Sequence, residues 1–206
     1  MGGLTVEGVL VAIPGLLLAL VLHEFAHALV SSYLGDPTPR LQGRLSLDPL
    51  RHIDWVGLLA MFVFRFGWAK PVQIDPRYYK NPRLGLVLVA LAGPAMNVVL
   101  ALVALWISLH TSLGIGNVSQ VIGAVLDNVV LYNVFFAVFN ILPIPPLDGS
   151  RVLSAVSREG ARLMMVIEPY GWIVLLLLLF TGVLTGTVLR PMADGLVTAL
   201  TAVARL

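Results

Sequence analysis

Long apolar stretches, parted by short polar or proline-rich segments, make up most of this chain. Residues 4–34 form the first stretch: up to Val30 its only formal charges are Glu7 and Glu24, and the rest is mostly Leu, Val, Ala, Ile and Gly. As one helix it measures about 45 Å at 1.5 Å per residue, more than the ~30 Å hydrocarbon core of a bilayer. Pro14-Gly15 is a bend point, and Gly35-Asp36-Pro37 is a stop signal, with Gly just past the helix end and Pro beyond it. Further spans are expected at 84–110, where Gly93-Pro94 predicts a kink, at 118–142 and at 171–189, which Arg190-Pro191 should end. Residues 192–206 are expected to form a C-terminal interfacial helix or to return partway.

Residues 35–83 are mixed. Their apolar run, 53–66, would reach only about 21 Å as helix, so a re-entrant or β-containing segment is expected there. Val72-Gln73-Ile74 is a candidate strand, and the region a candidate edge for an extended peptide to pair with. Three prolines between Pro143 and Pro146 forbid continued helix. Irregular backbone at membrane depth is tolerated where protein or a water-filled cavity surrounds it. The predicted fold is therefore an all-α polytopic membrane protein in one domain, 1–206, with a three-helix core and flanking helices. With no basic n-region or small-residue cleavage site, the first helix is expected to be retained.

Composition agrees. Only 12% of residues are charged and 58% are hydrophobic, whereas soluble domains average about 25% charged. The net charge is +2 and basic residues are not interleaved with aromatics, so nucleic acid is not an expected partner. There are no cysteines, which excludes disulfides and thiolate chemistry.

Inside the first stretch lies His23-Glu24-x-x-His27. Residues four apart share a helix face, so both imidazoles can reach one metal ion, while Glu24 is offset yet near enough to polarise a water on it. With four His and four Glu in 206 residues, chance yields this pattern roughly 0.002 times. A hydrogen-bonded histidine pair in a helical bundle is the bland alternative. Within lipid, three ionisable groups on two turns are costly and usually functional, which favours the metal. Catalytic zinc commonly takes three protein ligands. Asp148, after the proline segment, could N-cap a short helix opening at Gly149, but beside two histidines seeking an oxygen ligand, coordination is expected. Asn97, polar at membrane depth, offers either an interhelical hydrogen bond or a substrate contact. Asp127 is left as a helix break or cap.

Eight of the thirteen Lys and Arg fall in 35–83 and three more in 143–170, with none in 111–117. The positive-inside tendency makes the first two regions cytoplasmic and sets His23, His27 and Asp148 toward that side.

His23-Glu24-Phe25-Ala26-His27 with Asn140…Pro143…Pro146-Leu147-Asp148-Gly149 resembles the site-2 protease family of intramembrane zinc metalloproteases. Gly43-Arg44-Leu45, Asp48–Asp54, Gly67-Trp68-Ala69-Lys70-Pro71 and Ala92-Gly93-Pro94…Asn97 are similar to its compact prokaryotic branch. The resemblance implies Zn2+ on His23, His27 and Asp148, Glu24 as general base, and Asn140 holding substrate or oxyanion. It implies single-pass transmembrane proteins as substrates and a prokaryotic inner or plasma membrane as location. The 206 residues leave room for neither the PDZ nor the CBS-pair domain of many relatives, and His52 is only a reserve candidate. Other readings are a metal transporter, or an inactive relative that only binds membrane helices.

Overall fold

The computed structural model describes residues 5–57, 69–111 and 117–206. Helix α1 spans Val6–Tyr33, started by Thr5, whose side chain accepts from the Gly8 N–H. It stops where expected, with Gly35 at φ 106°. A short α2 follows at Thr38–Leu41. Helix α3 spans Pro82–His110, with Asn81 as cap and Pro82 in the first turn, where its missing N–H costs nothing. Helix α4 spans Asn117–Asn140. Pro14 and Pro94 lie within continuous helices.

Helices α1, α3 and α4 pack on one another. Among the described residues, four helical runs are long and apolar enough to cross a membrane: Val6–Tyr33, Pro82–His110, Ser119–Asn140 and Arg158–Phe180. At most 33% of the most apolar window of each is buried within the protein, so most of those apolar side chains face outward. A surface of that kind calls for lipid as its solvent. This is an all-α, multi-pass integral membrane protein.

The irregular parts differ from expectation. No strand occurs among the described residues. Region 35–83 holds one isolated antiparallel bridge, Ile53 to Ala69, and Val72-Gln73-Ile74 joins no ladder. Most of the apolar run 53–66, from residue 58 on, lies outside the described residues. The expected span 171–189 is divided. Helices α5 (Asp148–Val156) and α6 (Arg158–Ile167) lead through a 3-10 turn into α7 (Gly171–Phe180). Gly182, at φ 71°, then breaks the run, because a left-handed residue cannot continue a right-handed helix. A π-helical turn at Leu184–Leu189 runs into α8, Arg190–Ala204. Arg190-Pro191 thus opens a helix rather than ending one, since proline suits a first turn. Helix α8 packs against α3 and α4, and its Leu200 joins a core with Ala101, Val134, Leu147 and Leu175.

One buried carboxylate ties the end of α1 to the start of α3. Asp36 accepts from Ser31 Oγ (2.8 Å), Thr38 N–H (2.9 Å) and Asp75 N–H (2.8 Å), and Ser31 also pairs with the Tyr79 hydroxyl. Burial favours the neutral acid, but these hydrogen bonds outweigh it and hold the Asp36 pKa below the usual carboxylate value. A pKa depressed by folding contributes stability that is present above the unfolded value and lost as pH falls through the folded one. Asp36→Ala is therefore expected to cost roughly 1–3 kcal/mol at neutral pH by orphaning buried donors. The deficit should vanish in acid below the folded pKa; thermal melts of both proteins across pH measure it.

Candidate metal centre

His23 and His27 lie one turn apart on α1, and both rings are buried. Asp148, from a segment over a hundred residues later, meets them. His23 Nε2 and His27 Nε2 lie 3.0 Å apart, and each is 3.1 Å from Asp148 Oδ2. Donors of a tetrahedral zinc at 2.0–2.1 Å stand about 3.3 Å apart, so this triangle fits such a shell with little adjustment.

The hydrogen bonds behind the rings settle which nitrogens carry protons. His27 Nδ1 lies 2.7 Å from Val89 O, which can only accept, so Nδ1 is the donor. Asn97 Nδ2 donates to Ala19 O (3.0 Å) and Asn133 Oδ1 (2.8 Å), leaving Asn97 Oδ1 to accept from His23 Nδ1 at 2.6 Å. Asn133 Nδ2 donates in turn to Val129 O. The two carbonyls set the direction of the whole chain. With Nδ1 as the donor on both rings, each neutral imidazole offers its Nε2 lone pair, beside the Asp148 carboxylate, to a cation placed among the three atoms. Second-sphere partners of this kind fix the tautomer of a ligating histidine.

The N-cap position of α5 is Leu147, with no side-chain cap bond, and Asp148 is the first helical residue with its carboxylate on the imidazoles. Asp148 is not a cap. Asn97 is 0% exposed and is not among the residues lining the cavity described below; it provides the interhelical hydrogen bonds that orient His23. Asn133 escaped notice in the sequence as part of this chain, although a second asparagine at membrane depth was the available signal. His52 is buried but sits apart from the triangle, donating from Nε2 to Ser46 O.

Helix α3 approaches closely through Gly93. A Cβ there would lie 2.5 Å from both His23 Cε1 and His27 Nε2, nearer than real contacts allow.

The triangle borders a cavity of about 830 Å3, within the size range of ligand pockets. Its walls come from the apolar faces of α1, α4 and α7, with Phe135, Phe136 and Phe139 along α4. The same cavity is lined by His23, His27 and Asp148 together with Glu24, Asp54, Asn140 and Arg151. Glu24 Oε2 accepts from the Val72 N–H at 3.1 Å, and Asn140 Nδ2 donates to Phe136 O at 3.0 Å.

No protein-family model and no solved structure matches the chain. Curated relatives do. A Bacillus subtilis (strain 168) protein named "Putative zinc metalloprotease YwhC" is 37% identical over 184 residues, covering 87% of this chain and 84% of the relative. A Mycobacterium tuberculosis (strain ATCC 25618 / H37Rv) protein named "Putative zinc metalloprotease Rip2" is 32% identical over 181 residues, covering 84% and 68%. The chain belongs to the site-2 protease family. These relatives' names point to a zinc metalloprotease, and in this family member the His23, His27 and Asp148 donors suit that ion.

Gly93→Ala in this site-2 protease homologue should therefore lower zinc per chain and cost about 1–3 kcal/mol through overpacking. Gly123→Ala, where an added Cβ meets open space, should leave both unchanged. Elemental analysis and thermal melts of the purified variants read the difference.

Proposed function

We propose that the protein is an intramembrane zinc metalloprotease, hydrolysing peptide bonds in or near the transmembrane helices of single-pass substrate proteins. One observation carries this reading: a metal-ligand triangle opens, beside an unassigned carboxylate, onto an apolar-walled cavity among membrane-spanning helices. His23, His27 and Asp148 hold the ion. Zinc bound there would supply Lewis acidity, lowering the pKa of a water toward about 7 and polarising a carbonyl.

The remaining chemistry belongs to the chain. Glu24 takes a proton from the attacking water and returns it to the leaving amide nitrogen. Its carboxylate suits this role because one oxygen is held by Val72 N–H while the other is left to exchange the proton. Asn140 anchors one amide N–H on Phe136 O and by count has a second for the substrate carbonyl. The apolar walls receive an unwound substrate segment. Water reaches the site through the helix-free segment at 141–147.

The cytoplasmic setting of the site is part of the proposal. His27 is six residues, about 9 Å of helix rise, from the end of α1. The loops at that end hold most of the basic residues, which favours a cytoplasmic face.

Glu24→Gln is expected to retain zinc while cutting a single-pass model substrate in detergent roughly 10²–10⁴-fold more slowly. Asp148→Ala should lose the ion. Mass spectrometry of the peptide products with elemental analysis tests both; cleavage at the wild-type rate by zinc-loaded Glu24→Gln would refute the reading, as would full zinc in Asp148→Ala.

A further inference from the structure

A glutamate on a helix has several freely turning side-chain bonds, and a general base must be placed to a fraction of an ångström. Among the described residues, the Val72 N–H is the hydrogen-bond donor that holds Glu24. Val72 itself lies in an irregular segment, 69–75, with no helix or ladder of its own. One hydrogen bond does not offset the entropy of ordering such a segment, so something else must fix it.

That anchor is Arg44. Its side chain is buried, the residue being 3% exposed, and its fork donates in two directions: Nη1 to Arg51 O at 2.5 Å and Nη2 to Pro71 O at 3.0 Å. Pro71 is the residue before Val72. Around this fork, the Lys70 N–H donates to His52 O at 2.9 Å, and Ile53 pairs with Ala69. His52 Nε2 donates to Ser46 O. Segments 44–53 and 69–72 are thus one block, with the guanidinium at its centre and the Val72 N–H on the edge facing α1. Burying a guanidinium on two neutral carbonyls is costly. The charge that acts on it is the Glu24 carboxylate, which opposes the downward push of burial on the Arg44 pKa.

We propose that Arg44 is a positioning residue for Glu24: its fork staples residues 44–51 to 69–72 and so presents the Val72 N–H to the base. The inference rests on the protease reading above. Lysine cannot replace it, because a single ammonium does not reproduce a planar fork spanning two carbonyls.

The test uses the zinc-loaded full chain and the substrate that reports on Glu24→Gln. Arg44→Lys and Arg44→Gln should lower kcat about tenfold to a hundredfold, the range for second-sphere losses, with KM and zinc per chain unchanged. An interaction made only in the transition state gives that split. Val72→Pro, which removes the donating N–H while leaving Arg44 intact, should lower kcat similarly, and combining it with Arg44→Lys should add no further loss. Full kcat in the Arg44 variants, a loss confined to KM or to zinc, or losses that multiply in the combined variant would each overturn the proposal. If Arg44 variants cleave normally while Glu24→Gln is inactive, this inference fails alone; if Glu24→Gln cleaves normally, the protease reading falls with it.

Discussion

Three electron-rich atoms held 3.0–3.1 Å apart in a buried site are the constraint around which this protein is arranged. Two neutral imidazoles and a carboxylate offer one negative charge to a dication. In a low-dielectric interior that charge is expensive unless it is matched. The helices are disposed to keep the three atoms together. Helix α1 supplies both imidazoles, α3 comes close through Gly93 and orients His23 through Asn97, and α4 extends the hydrogen-bond chain with Asn133. The proline segment after α4 then turns the chain so that Asp148 completes the triangle.

The same arrangement separates two solvents. Apolar side chains on the outer faces of the spans suit lipid, whereas the inner cavity combines apolar side chains with the triangle and further ionisable groups. The division of labour follows from residue type, with Phe135, Phe136 and Phe139 of α4 lining the cavity beside the ionisable groups.

The block formed by 44–53 and 69–72 gives the irregular region a purpose. Stretches without ladders are usually the least ordered parts of a fold. Here a buried guanidinium and a buried histidine satisfy backbone carbonyls that no helix or sheet would, and Asp36 does the same for N–H groups next to α1. Side chains replace secondary structure as the source of rigidity.

Much of this was legible in the amino-acid order. Apolar runs longer than a bilayer predicted the spans, because hydrophobic length in lipid depends on local composition alone. His23, Glu24 and His27 were readable because their geometry is that of a single helix turn. Gly35-Asp36-Pro37 marked the end of α1 for equally local reasons. Where contacts are distant in sequence, the order of residues left alternatives open. For Asp148 it favoured ligand over cap only through the two histidines, and for Asn97 it left substrate contact and hydrogen bond open, since each depends on what another helix places opposite. It suggested strands at 72–74 and one unbroken span at 171–189, which side-chain anchoring and a left-handed Gly182 override. Tertiary structure alone put Asp148 on the imidazoles, Gly93 against them and Arg44 behind Val72, because only the packed fold brings those positions within reach of one another.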